Sequence, residues 1–162
     1  MIMAVDMFLK LDDVKGESTD DKHKDETDVL AWSWGMSQSG TTHMGSGGGA
    51  GKVSVNDLSI TKYVDKGSPI LVISCCNGKH FKEGVLTVRK AGESALEYLK
   101  ITMKEVLISS ISTGGSGGED RITENVTLNF AEFKVEYTPQ KDDGSGDAAV
   151  EAGWKIAANV KA

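Results

Sequence analysis

The chain has 162 residues, of which 26% are charged, and a formal net charge of −6. This length suits one domain, residues 1–162, whose folding hides roughly 70% of the surface that an unfolded chain exposes. The acidic balance argues against a general nucleic-acid binder, because such a protein clusters Lys and Arg to neutralise phosphates.

Cysteine usage and the N-terminal residues indicate synthesis in the cytosol. Cys75 and Cys76 are the only cysteines, and adjacent residues do not easily meet disulfide geometry, so we expect free thiols. Residues 1–6 lack the basic region and the long apolar run of a secretory signal, and no segment is long enough to span a bilayer. Export by a route that needs no such signal stays open.

Two strands and an acidic loop are predicted in the first quarter of the chain. Residues 5–11 alternate as a strand does, whereas residues 12–28 hold eight acids, three lysines and no apolar period, which predicts a solvated loop. Residues 30–37 then place Trp32, Trp34 and Met36 on one face of a strand. We expect both tryptophans in the core.

A short helix is predicted after a bulged strand. Residues 53–62 change phase once, which indicates a bulge near residues 56–57. Ser68 and Pro69 form a good helix start, with Ser68 at the N-cap, and Gly78 is a good stop. The helix is apolar nearly all round, so we expect it to fill an apolar opening in a sheet or barrel and to bury both cysteines as inert thiols. A buried strand is the alternative interpretation.

The rest of the chain predicts further strands. They fall near residues 84–90, 96–111, 126–130, 133–137 and 154–160, with a hairpin turn at residues 91–94 and loops at residues 113–118 and 141–147. Seven or eight strands with repeated bulges and one helix predict a mainly β fold, a strongly bent sandwich or barrel.

A glycine-rich loop of twelve residues separates two of the predicted strands. Its members are Gly40, Thr41, Thr42, His43, Met44, Gly45, Ser46, Gly47, Gly48, Gly49, Ala50 and Gly51. A loop of this length within a compact domain is usually functional or disordered. It does not resemble a phosphate-binding loop, because Lys52 enters a strand and no Gly-Lys-Ser/Thr sequence or helix follows.

No catalytic or metal-binding pattern is present in the sequence. The three histidines, His23, His43 and His80, do not combine into a zinc spacing, and the acidic run lacks the residue order of a calcium loop. We therefore expect no enzyme activity and no cofactor.

Many short blocks stand together in one order along the chain. They are residues 4–10 (AVDMFLK), 16–18 (GES), 32–35 (WSWG), 51–52 (GK), 62–65 (KYVD), 68–69 (SP), 76–80 (CNGKH), 89–92 (RKAG), 97–99 (EYL), 124–126 (ENV), 128–130 (LNF) and 153–154 (GW). Together they closely resemble the haemolysin-coregulated protein (Hcp) family, the tube subunits of bacterial type VI secretion. The resemblance spans essentially the whole chain, although no single block is specific.

The resemblance implies an architecture and a set of partners. The protomer would be a bent two-sheet β-barrel with one short helix, similar also to phage tail tube proteins, and six protomers would close into a ring. Rings would stack into a hollow tube that a contractile sheath expels, with a spike protein at its tip and exported effectors in the lumen. The protein would then be secreted without a cleaved signal peptide, without nucleic acid and without membrane insertion.

Two sites follow as hypotheses from combining the pattern with the resemblance. The small residues Ala31, Ser33, Gly35 and Ser37, opposite the tryptophans, would line the lumen; the alternative is an ordinary solvent-facing side. The loop of residues 40–51 would contact the next ring; the alternative is a passive disordered loop. A monomeric β-barrel carrier of a small apolar ligand is the second functional interpretation. A hydrolase is a third and weak one, since no catalytic set is present.

Overall fold

Twelve strands and one helix make up the described part of the chain. The computed structural model describes residues 4–40, 51–91 and 95–162. In chain order the elements are β1 (Val5–Leu11), β2 (Thr27–Asp28), β3 (Ala31–Ser33), β4 (Met36–Ser37), β5 (Ser54–Val55), β6 (Leu58–Tyr63), α1 (Ser68–Asn77), β7 (His80–Lys90), β8 (Glu97–Gly114), β9 (Thr123–Asn129), β10 (Glu132–Tyr137), β11 (Val150–Lys155) and β12 (Val160–Lys161). No helix in these ranges has the length and apolar character needed to cross a membrane.

The long strand β8 carries two branches of sheet. It has 18 residues and pairs with β7 along one edge. On its other edge, residues 99–104 pair with β10 and residues 107–114 pair with β9. Glu105 lies at the change of partner with a φ of 54°, and the Ala131 N–H donates to the Lys104 carbonyl at 3.0 Å. One strand therefore serves two branches, which produces the predicted bend.

The sheet does not close as the predicted barrel. One branch runs β12-β11-β10-β8-β7-β1-β2, and the other adds β9, β6 and β3 to β8, with β4 and β5 as a separate pair. Residues 27–33 cross between the branches, because the Val29 N–H donates to Met7 and the Leu30 N–H donates to Thr61. β2 and β3 are too short to form a continuous closing ladder. The mainly β fold with one short helix is nevertheless confirmed.

The core lies between the two branches and consists of alternate side chains of their strands. Leu58, Ile60, Val126, Leu128 and Ile108 belong to it and are almost fully buried. Trp32 and Trp34 are half-buried against this cluster, as expected from the strand pattern. The Trp34 ring meets the Phe133 ring edge-on at 4.9 Å, and its Nε1–H donates to the Asn56 carbonyl at 2.9 Å.

The helix has the predicted bounds but a different start and a different degree of burial. Gly67 occupies the N-cap without a side-chain bond, and Gly78 ends the helix in the left-handed conformation at a φ of 67°. Only Ser68, Leu71 and Ser74 are buried, while Cys75 is half-buried and Cys76 is exposed. The expected burial of both thiols was wrong, because α1 covers one side of the core instead of filling a closed barrel.

A buried ionic cluster joins the start of α1 to the sheet. The fully buried Lys62 Nζ donates to Asp65 Oδ1 at 3.1 Å, to Ser68 Oγ at 3.0 Å and to Glu124 Oε1. Ser68 Oγ also donates to Glu124 Oε1 at 2.5 Å. All three ammonium donors have partners, which a buried lysine requires. The cluster therefore fixes the helix start on β6 and β9.

Residues 12–28, the acidic segment, are held against the rest of the protein by side-chain contacts, whereas the sequence predicts a solvated loop. His23 stacks on Phe8 at 4.4 Å, and its two ring nitrogens face the carboxylates of Glu26 and Glu97. Arg89 binds Asp20, and this bond holds the pKa of Asp20 below its ordinary value of 3.8. The expectation failed because the segment is attached through polar contacts to distant strands, which leave no apolar period in the sequence.

The buried cluster generates a stability prediction. Lys62→Met leaves the Glu124 carboxylate buried without its cation, and breaking a buried pair in this way costs roughly 3–5 kcal/mol. The double variant Lys62→Met/Glu124→Leu removes the buried pair, and Asp65 keeps the hydrogen bond from the Gly67 N–H at 2.9 Å, so most of this loss should be recovered. Urea denaturation at neutral pH measures both free energies of unfolding. A double variant no more stable than Lys62→Met would contradict the explanation.

Candidate assembly surface

A face of small polar side chains covers one side of β3, β6, β9 and the second half of β8. Residues directly opposite each other on antiparallel strands point to the same side of a sheet. Two neighbouring rows therefore share this side, which we call the polar face: Ser33, Ser59, Thr127 and Ser110, and beside them Ala31, Thr61, Asn125 and Ser112. None of these eight side chains is charged.

Hydrogen bonds link the side chains of the polar face to one another. Thr61 Oγ1 donates to Asn125 Oδ1 at 2.8 Å, and the hydroxyls of Ser110 and Thr127 lie 2.6 Å apart. At the border of the face, Asn129 Nδ2 donates to Asp57 Oδ1 at 2.8 Å. Because the polar groups are partly satisfied by one another, the surface offers few strong attachment points to a passing molecule.

The opposite side of the same four strands faces the core. The row Trp32, Ile60, Val126 and Ile111 lies there, followed by Leu58, Leu128 and Ile108. In β6 every second residue is buried, and the side of the sheet that faces the core is apolar except for the ion pair of Lys62 and Glu124. The helix α1 packs on the apolar side, since Leu71 belongs to the core cluster.

We call β3, β6, β9 and the second half of β8 the polar branch, and both of its outer edges lack a partner strand among the described residues. β3 pairs with β6 only, and β4 pairs with β5 only. Residues 108–114 of β8 pair with β9 only, because β7 reaches no farther than Leu107. These edges expose backbone N–H and C=O groups that can bind another strand. Along both edges, the side chains that belong to the polar face are exposed.

The residues predicted to line a lumen do not all lie together. Ala31 and Ser33 belong to the polar face and are exposed. Gly35 lies between β3 and β4, and its carbonyl accepts the Asn56 N–H at 3.0 Å. Ser37 is exposed on β4, opposite Ser54.

Most of the predicted stacking loop, residues 41–50, lies outside the described residues. Its first residue, Gly40, is exposed, and its last, Gly51, is half-buried. A Cβ atom at Gly51 would clash with Ser39 Oγ, so only glycine fits there without a shift. The loop thus leaves and rejoins the sheet at a close contact next to β4.

Catalytic and metal-binding features do not assemble in the described ranges. No group of three or more His, Cys, Asp or Glu side chains there could hold a metal ion. His80 is exposed at the start of β7, whereas His23 is buried against two glutamates. The acidic pair Glu136 and Glu151 flanks Lys134, which raises the pKa of that lysine. These contacts stabilise side chains without bringing a nucleophile to a base.

Charge distribution is a signal that points to the same surface. Residues 30–51, 67–78 and 106–118 contain no Asp, Glu, Lys or Arg, although 26% of the chain is charged. Residues 31–37 of the first segment and residues 108–114 of the third form the two free edges of the polar branch, and the second segment contains α1. The cores of protein interfaces are depleted of charge. Searching the sequence for charge-free segments would have found the two edges of this surface, although not its central residues on β6 and β9.

Comparison with known proteins identifies the family. Residues 8–137 match the family described as "Type VI secretion system effector, Hcp". The chain is 65% identical to Protein hcp1 of Pseudomonas aeruginosa over 162 residues, which cover 99% of this chain and 100% of that protein. The chain belongs to the Hcp family. The predicted type VI secretion tube subunit is therefore confirmed.

Solved Hcp structures share the fold. The crystal structure of Hcp1 from Salmonella typhimurium is 42% identical with a TM-score of 0.82, and the comparison covers 99% of this chain and 100% of that one. A structure of a type six secretion system protein is 32% identical with a TM-score of 0.92, covering 98% and 100%. The Hcp fold is thus matched over nearly the whole chain, including the polar branch and α1.

Proposed function

We propose that copies of this chain close into a ring of six by pairing the two free edges of the polar branch. The β3–β4 edge of one copy would bind residues 108–114 of the next. The two edges differ, so the contact is head to tail, and such a contact closes into a ring when the rotation permits. The number six comes from the Hcp family. The observation that carries the proposal is the pair of open, charge-free edges on one sheet.

The polar face becomes the lumen wall in this arrangement. Edge pairing continues the sheet from copy to copy. The polar faces of all copies then lie on one side of this sheet, and the α1 helices lie on the opposite side. A surface of Ser, Thr and Asn without net charge would hold exported effectors weakly and let them move. The rings would stack into a hollow tube, non-enzymatic itself, that is expelled with its cargo.

The remaining partners follow from the family. A contractile sheath would surround the tube and a spike protein would close its tip. Synthesis in the cytosol and export without a cleaved signal peptide would agree with this route. Contact between stacked rings through residues 40–51 stays a prediction, supported by the position of Gly40 and Gly51 beside the β4 edge.

The carrier alternative requires an enclosed apolar cavity. An apolar groove of about 330 Å³ lies between the β4–β5 pair and β11, lined by Met36, Val55, Phe133 and Trp154. It is open to solvent along its length, and the centre of the fold is occupied by packed side chains. The tube function therefore has the stronger support.

The assembly proposal is tested by the mass of the purified protein. We expect a species about six times the chain mass of 17.3 kDa, with annular particles in negative-stain images. Light scattering after size exclusion measures the mass directly. A single species of one chain mass with compact particles at micromolar concentration would contradict the ring and favour the carrier.

The lumen proposal is tested by a charge in the middle of the polar face. Ser59→Arg lies on β6, away from both edges, and should leave the ring mass unchanged. It should narrow the opening of the annular particles and reduce co-purification of effectors by about tenfold, since each cargo that contacts the lumen wall must desolvate the added charge. Val150→Arg, on β11, is the matched control. Equal effector recovery from the two variants would contradict the lumen assignment.

A further inference from the structure

One side of α1 presents apolar side chains to solvent. Ile70, Val72 and Ile73 are exposed, and Ile73 retains 56% of its accessible surface. A surface helix ordinarily places charged residues on its outer side, yet α1 contains none. The buried side, with Leu71 and Ser74, already accounts for the attachment of α1 to its own core. The outer apolar row therefore lacks a partner within the described chain.

The position of α1 relates this row to one free edge. Ser68, at the start of α1, bonds Glu124, which pairs with Thr113 of β8. After the end of α1, His80 pairs with Leu107 of β8. The helix thus runs beside residues 107–113 of β8, the stretch whose outer edge is open, and lies on the apolar side of the sheet.

The other free edge carries a matching surface on the same side of the sheet. Trp32 is half-buried there, and Met36 retains 45% of its accessible surface. Residues 30–40 contain no charged side chain, and neither does α1. Two apolar, uncharged surfaces beside two complementary edges match in chemistry. A side chain of either surface would meet no unpaired charge on the other.

Interface size favours the same arrangement. Edge pairing alone joins about seven residues of one strand to another, whereas a stable interface buries roughly 800 Å² on each partner. Additional contact beside the edge is needed to reach that area. The exposed row of α1 is the apolar surface that lies in the required place.

We propose that the exposed row of α1, residues Ile70, Val72 and Ile73, docks on the apolar side of the β3–β4 edge of a second copy of this chain. The proposal rests on the ring described above and names the side-chain contact that reinforces its edge pairing. In the ring, α1 of each protomer then docks on one neighbour. The β3–β4 edge of the same protomer binds α1 of the other neighbour. The helix is a ring-interface element as well as a cover for the core.

The first test compares two lysine substitutions at exposed β-branched residues. Ile73→Lys places a charge in the proposed contact, whereas Val150→Lys places it on β11, where Val150 retains 66% of its accessible surface. We expect Ile73→Lys to raise the protein concentration for half-assembly at least about tenfold, because an unpaired charge at an interface is strongly unfavourable. Val150→Lys should assemble as the wild type does. Mass photometry over a dilution series measures both. Equal effects of the two substitutions would overturn the proposal.

The second test identifies the surface that α1 contacts. A photo-activated benzophenone side chain at residue 73 should cross-link, in assembled protein, to residues 30–38 of another chain, and mass spectrometry locates the linked peptide. Links to a different segment, or only within one chain, would overturn the proposal and leave the ring intact. A wild-type protein that stays monomeric would instead overturn the ring itself. Circular dichroism of monomeric Ile73→Lys should match the wild-type spectrum, since Ile73 contributes little to its own core.

Discussion

Backbone N–H and C=O groups at the edge of a β-sheet remain open to any strand that approaches, and proteins must cover or satisfy such edges. In this chain the two edges of the polar branch are long enough to pair and bear no charge that would discourage pairing. Lysines and prolines, which blunt edges in monomeric proteins, are missing from residues 31–37 and 108–114. The rest of the structure is consistent with edges that pair with those of a second copy of the chain.

Strand β8 provides the geometry on which those edges depend. Its first half belongs to the branch that contains β10 and β11, and its second half extends beyond the end of β7. The change of partner at Glu105 lets one strand contribute to a closed core and still leave an open edge. The buried cluster around Lys62 then holds α1 next to that edge. Strand β8 therefore contributes both to the stability of the fold and to the proposed assembly edge.

The sequence predicted most local elements of this fold and missed its long-range contacts. The last strand was wrong, because residues 156–159 form a turn between β11 and β12 within the strand predicted at residues 154–160. The α1 bounds followed from Ser68-Pro69 and Gly78, since local chain geometry determines where a helix can start and stop. The alternation around Trp32 likewise assigned Ser33 to the exposed side. The attachment of residues 12–28 was missed because Asp20 binds Arg89, which lies 69 residues away along the chain. Barrel closure was overestimated for a similar reason, because the period of a strand does not determine its partner.

The polar face shows the same difference between what local sequence patterns predict and what depends on long-range contacts. Ala31 and Ser33 were recognised from one strand, but Thr61, Asn125 and Thr127 join them only through strand register. No short pattern in the sequence links three strands that are so far apart. The charge-free segments indicate only the two edges of this branch, because β6 and β9 between them carry Lys62 and Glu124 on their core side.

Amide hydrogen exchange of assembled and diluted protein tests edge pairing most directly. Peptides covering residues 31–37 and 108–114 should exchange at least about tenfold more slowly in the assembled state, because their free backbone groups gain partners there. Peptides covering β11 should exchange equally in both states. Assembled protein whose two edges exchange as fast as those of the monomer would contradict the account.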